Sequence, residues 1–158
     1  MVAFVVDTNV PMAANGRETH ADMRCQLRCV ETLKSVIQQG IVAIDDKGMI
    51  VNEYRRRLSL AGAPGVGDAF SRYVFDNQYR DDRVQRVAVK PSEDDRRGFE
   101  ELPRNKFDRS DRKFLAVAVV ANAVVLNAVD NDWSEQEALM QELNVRVEEL
   151  CPQHLNER

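Results

Sequence analysis

The 158-residue sequence has few of the residues that build zinc sites: two histidines, His20 and His154, and three cysteines. Cys25 and Cys29 are four apart in a segment that reads as a helix, and an odd cysteine count makes neither a disulfide ladder nor a zinc ribbon. Three thiols in a reducing compartment are expected, with the Cys25/Cys29 helix facing the core or a partner. Positive charge is scarce too. A formal net charge of −4 excludes a protein that coats nucleic acid through a general excess of Lys and Arg, although local patches stay open. Long apolar runs are also missing. The longest, Phe114 to Val129, is interrupted by Asn122 and Asn127 and falls short of the roughly 20 residues a membrane helix needs. The chain reaches Asp7 after a handful of apolar residues, without the charged start or the length of a secretion signal. A soluble, cytoplasmic protein without membrane contact is expected.

What is present is enough for one core. With 44% hydrophobic residues, a chain of this length is expected to form a single domain over residues 1–158. Residues 2–6 are continuously apolar and β-branched, as in a strand buried on both faces of a parallel sheet. After a loop through Asn15 and Gly16, apolar residues from Met23 to Ile37 recur every three or four positions, giving a helix that Gly40 ends. Residues 40–46 read as a second strand and 50–60 as a helix, stopped by "AGAPGVG". Residues 68–78 read as another helix, 84–91 as a third strand, and the polar run from Ser92 to Asp108 as loop. "SDRKFLAVAVVANA" is apolar nearly all round, as in a helix covered by its neighbours, and Asn122 ends it. Residues 123–130 make a fourth strand. A helix over 134–144 is expected to start at Ser134, with Glu137 at capping-box spacing, before a last edge strand over 145–150. Strands alternating with helices predict a three-layer α/β/α sandwich with a mainly parallel central sheet.

In such sheets ligands bind beyond the carboxyl ends of the strands. The first and fourth strands both end there in aspartate, Asp7 and Asp130. Asp111 opens the apolar helix leading into the fourth strand, and Glu53 lies early in the helix after the second. Each acid also has an ordinary role open to it. Asp7 can turn the chain, Asp111 can serve as a favourable charge at a helix start with Asp108 as the cap, Glu53 can pair with Arg56 or Arg57, and Asp130 with Asp132 can form a turn. Gathered at one rim, however, four acids repel each other unless a divalent cation sits among them. Carboxylates and waters select Mg²⁺ or Mn²⁺, and such a centre suits phosphodiester hydrolysis. Arg56, Arg57, Arg109, Arg112 and Lys113 flank these acids, as a phosphate backbone approaching the site requires, or else as a solvated face.

Taken in order, "FVVDTNV", "NEYRRRL", "SDRKFLAVAVVANA" and "VLNAVDNDW" resemble a PIN domain, the metal-dependent nuclease fold of toxin ribonucleases and RNA-processing factors, over about residues 3–150. The resemblance implies that Asp7, Glu53, Asp111 and Asp130 surround one or two Mg²⁺ or Mn²⁺ ions. Asp132 would be a further acid at the metal, with Thr8 and Asn9 supporting Asp7. It implies an endoribonuclease that attacks RNA with water and without a covalent intermediate. Such a chain can be the toxin of a toxin–antitoxin pair, with an antitoxin partner and a homodimer as expected assemblies. Two departures stand out: Ala128 occupies a position where many relatives carry threonine or serine, and the stretch from Gly62 to Asn105 is longer than in the shortest toxins. A PIN-like module that binds RNA or protein without cleaving is the alternative. A receiver-like domain with a phosphate-accepting aspartate is weaker, because no lysine ends the fourth strand.

Overall fold

A computed structural model describes residues 1–61 and 63–155. Gly62, within the glycine-rich stop after the expected 50–60 helix, and residues 156–158 lie outside the described residues. The elements run β1 (Ala3–Val6), α1 (Asn9–Asn15), α2 (Met23–Gln39), β2 (Ile41–Asp45), α3 (Met49–Arg57), α4 (Val66–Asn77) and β3 (Val84–Val87). They continue with α5 (Arg112–Ala121), β4 (Val124–Asn127), α6 (Asp132–Glu135), α7 (Glu137–Glu142), β5 (Val147–Glu149) and a 3₁₀ turn (Pro152–His154).

All five strands pair in parallel, in the order β3-β2-β1-β4-β5. This is the three-layer α/β/α architecture expected from the sequence. From β1 the chain moves outward through β2 to β3, then crosses back so that β4 lies on the other side of β1. The switch between β1 and β4 opens a crevice at their carboxyl ends. The register aligns Val5 with Val125 and Val6 with Leu126, so both strands finish level and the residues after them meet.

The core explains why these segments settle where they do. In α5, Phe114, Leu115, Ala116, Val117 and Ala118 are all buried, and the helix lies against β1, β2, β3 and β4. Each large side chain among them contributes roughly 1.5–3 kcal/mol by leaving water. Asn122 ends the helix in a left-handed conformation, φ 51°, which asparagine tolerates better than most residues. Helix α2 packs on β2, α1 and α4. The segment from Pro91 to Asp111 has no helix or strand of its own but is pinned by buried Phe99, Leu102 and Phe107.

Three expectations are corrected. The stretch after Asp7 is a helix, α1, rather than a loop. Pro11 sits in its first turn, where the missing N–H costs nothing, and Gly16 ends it at φ 70°. The approach of α4 is so close that a Cβ on Gly67 would stand 1.8 Å from the Pro11 carbonyl oxygen. The expected 134–144 helix is two short helices, and Ser134 is no cap. It lies inside α6, its hydroxyl donating to Asn131 O at 3.0 Å. Buried Trp133, packed on Phe107 with ring centres 4.7 Å apart, draws the helix start back to Asp132. Finally, the cysteines are not three thiols: Cys25 is bonded to Cys151 across 126 residues, and buried Cys29 is free. A separation that long carries no local signal. All three face the core.

Candidate metal centre

Asp7 follows β1 directly, and its backbone N–H still donates to Leu126 O at 3.1 Å, which fixes the residue beside the end of β4. Asp130 comes three residues after β4. Asp111 caps α5 in position only. Its side chain makes no capping bond, since its φ and ψ of −96° and −11° turn it away from the helix amides. The Asp108 carboxylate instead accepts from Ser110 N at 2.8 Å and so shapes the turn before the helix. Carboxylate oxygens of Asp7, Asp111 and Asp130 consequently lie within 4.8 Å of one another, and Asp7 and Asp111 are buried. Asp132 belongs to an adjoining group with Asp108 and Asp111.

The electrostatics register this crowding. Burial, with smaller contributions from Asp130 and Glu53, pushes the Asp7 carboxyl up to about 7, against the pull of hydrogen bonds from Trp133 and the Asn9 backbone. Burial pushes Asp111 up to about 10, assisted by the charges of Asp7 and Asp130. Asp132 is raised as well, by burial and then by Asp130. Among the described residues no Lys or Arg forms an ion pair with Asp7, Asp111, Asp130 or Asp132. Two ligands of one Mg²⁺ stand at most about 4.2 Å apart at Mg–O distances of about 2.1 Å, so the trio fits such an ion with small shifts. The donor set is all oxygen, as Mg²⁺ and Mn²⁺ prefer.

Glu53 is placed differently. It lines the same cleft, of ≈ 490 Å³, but one carboxylate oxygen accepts from the Thr8 hydroxyl and the other meets Lys113 Nζ at 2.8 Å. Thr8 therefore holds Glu53 rather than Asp7. Asn9 reaches Asp7 through its backbone, N to Oδ1 3.2 Å, while its side chain accepts from Ala128 N at 2.8 Å and donates to Asn127 Oδ1 at 2.8 Å. Asn9 thus clamps the loop that carries Asp130.

The flanking cations divide. Arg56 and Arg57 line the acidic cleft and also the neighbouring hollow beside Arg17 and Asp68. Arg109 and Lys113 line another hollow with Arg56. Arg112 does not face the cleft. Buried beneath Gly98, its guanidinium donates to Asn105 Oδ1, Asn105 O and Asp95 O and secures the Pro91–Asp111 segment.

Two solved structures are similar to this chain. One is VapBC2 from Rickettsia felis bound to a DNA fragment from their promoter, with 11% identity over 94% of this chain and 98% of that one, and a TM-score of 0.46. The other is a PilT N-terminus domain protein from the archaeon Sulfolobus solfataricus P2, with 14% identity over 99% of this chain and 97% of that one, and a TM-score of 0.40. No protein-family model matches the sequence, and no curated protein matches it.

Sequence reading missed two residues that organise the site. Trp133 Nε1 donates to Asp7 Oδ2 at 2.8 Å. Asn127 Nδ2 donates to Asp130 O at 2.7 Å and to Glu149 Oε2 at 2.8 Å. Asn127 had a visible signal: it is a polar residue in an apolar strand, and in a fully buried strand such a group needs partners. His20 also lines the cleft, a position that no spacing in the sequence indicated.

Proposed function

We propose that the protein is a PIN-type, metal-dependent endoribonuclease that hydrolyses RNA phosphodiester bonds by water attack. The convergence of Asp7, Asp111 and Asp130 carries this reading, because three carboxylates from separate parts of the chain meet at the switch point within 4.8 Å with no ion-pair partner among the described residues. When bound, Mg²⁺ or Mn²⁺ would supply positive charge for the phosphate oxygens and a water more acidic than bulk water. The protein's part is to hold its ligands. Asp7 is oriented by Trp133, Asp130 by the Asn9–Asn127 clamp, and Asp111 by its station at the start of α5. Glu53, fixed by Thr8 and Lys113, faces the same cleft as a ligand through water, and Asp132 with Asp108 offers a place for a second ion. Arg56 and Arg57 receive the phosphate backbone beside the acids, and Arg109 and Lys113 extend that path through the hollow they share with Arg56.

The sequence resemblance makes a toxin of a toxin–antitoxin pair the biological form of this activity, with a homodimer, an antitoxin partner and a cytoplasmic location as parts of the proposal. No helix among the described residues is long and apolar enough to cross a membrane. A second reading, a module that binds RNA or a protein without cleaving, draws support from Glu53, whose charge is already matched by Lys113.

The test is cleavage of labelled single-stranded RNA with Mn²⁺, with chelator, and in Asp7→Asn and Asp111→Asn. Outer partners of a metal typically matter 10- to 100-fold, so loss of a direct ligand is expected to cost at least about 100-fold. Wild-type cleavage that survives chelation overturns the nuclease reading. Tight RNA binding without cleavage at any metal concentration favours the module.

A further inference from the structure

Away from the acidic cleft, three sulfurs share one buried spot. Cys25 and Cys29 stand one turn apart on α2, which places them on the same face. Cys151 arrives just after β5, and the Sγ atoms of all three lie within 4.8 Å of one another. None of the three residues has solvent exposure. Cys25 and Cys151 are bonded, and Cys29 is a free thiol against the pair. A covalent staple needs two sulfurs, so the third is surplus to it.

We propose that reduction of the Cys25–Cys151 bond converts Cys25, Cys29 and Cys151 into a three-thiolate site for a soft d¹⁰ divalent cation of the Zn²⁺ type. A dithiol reductant supplies two electrons and two protons: the Cys25–Cys151 bond breaks, two thiols form, and the reductant closes to a cyclic disulfide. Metal binding then releases the three thiol protons to solvent as three S–metal bonds form. Thiolate ligands at about 2.3 Å from Zn²⁺ in tetrahedral array stand about 3.8 Å apart, a spacing that the present cluster reaches with small side-chain shifts.

The metal takes over the disulfide's task of tying the start of α2 to the chain end. The same contact is reinforced by His154, whose Nε2 accepts from Asp22 N at 3.1 Å. Burial pushes the Cys29 thiol up to about 12, so without a cation it stays protonated and inert. Reducing cytoplasm favours the metal form and an oxidising environment the disulfide. The site stands independently of the nuclease reading.

The test titrates Cd²⁺ into full-length protein after treatment with a dithiol, following the ultraviolet thiolate-to-metal charge-transfer band. The acidic cluster is silent in that band. One equivalent of Cd²⁺ is expected to saturate it, with native circular dichroism, competition by Zn²⁺ and no band in the oxidised protein. Cys29→Ser keeps the disulfide pair for folding and, once reduced, is expected to bind at least about tenfold more weakly. The proposal is overturned by a folded, reduced wild type without the band or by equal affinity in Cys29→Ser. It is equally overturned by a reduced chain that stays unfolded with Cd²⁺ or Zn²⁺ present.

Discussion

The indole N–H of Trp133 donates to Asp7 Oδ2 at 2.8 Å, joining a buried ring to an acid of the cleft 126 positions away. The bond favours the charged carboxylate, opposing the burial that raises it. Trp133→Phe keeps a ring against Phe107 and removes only the donor. Asp7 is then expected to titrate above its present value of about 7, so Mn²⁺ binding, followed by calorimetry across pH, shifts toward higher pH. An unchanged pH profile would show that the bond does not act on Asp7.

The stability of the metal-free protein should fall as pH rises. Asp7 and Asp111 have folded values of about 7 and about 10 against an ordinary 3.8. Between about pH 4 and those values the folded state therefore binds more protons than the unfolded state, and the slope of stability with pH is negative. Thermal melts in chelator should show a lower Tm at pH 8 than at pH 5. Mn²⁺ should reverse the loss, because it binds the ionised carboxylates.

Asp111→Asn places a neutral side chain where the wild-type carboxyl, with a folded value of about 10, must take up a proton to fold at pH 8. The variant is expected to be more stable than wild type at pH 8 in chelator, by at least about 1 kcal/mol or roughly 2–4 °C in Tm, and to lose the Mn²⁺-dependent gain. A lower Tm at pH 8 would mean that Asp111 holds the fold rather than the site.

Asn127 joins Asn9, the Asp130 carbonyl and Glu149. Asn127→Ala orphans several buried groups, at a cost of about 1–3 kcal/mol each before relaxation, and frees the loop that carries Asp130. Mn²⁺ affinity is expected to fall about 10- to 100-fold by titration calorimetry, as for other outer partners of a metal. Denaturant melts measure the stability loss separately.

The arginines should separate by position. Arg56→Ala and Arg57→Ala are expected to weaken RNA binding, raising KM more than they lower kcat and reducing the salt slope by about one each. Arg112→Met should instead lower Tm with little effect on that slope, because its guanidinium is bound to Asn105 and Asp95 O inside the protein. RNA binding as a function of salt distinguishes the two outcomes.

Strand and helix positions were largely legible because they rest on local periodicity. The apolar runs that became β1, β2 and β4, and the three-to-four spacing in α2, require burial whatever their partners. The segments misread were those in which a distant contact overrides the local pattern. The 134–144 periodicity and the Ser134–Glu137 spacing favour one capped helix, yet anchoring Trp133 under Asp7 and Phe107 breaks it in two. Arg112 looked like its charged neighbours and differs only because the Pro91–Asp111 segment folds over it.

That aspartates follow buried strands is readable from the residues alone, since a run such as "AFVVD" is decided by its own side chains. Which acids meet depends on how the whole chain packs. Strand order and level register bring Asp7, Asp111 and Asp130 together, while Lys113 and Thr8 draw Glu53 to the wall of the cleft. The same holds for the sulfurs of Cys25, Cys29 and Cys151. Contacts across more than a hundred residues depend on how elements stack, a global free-energy balance that leaves no mark on neighbouring letters.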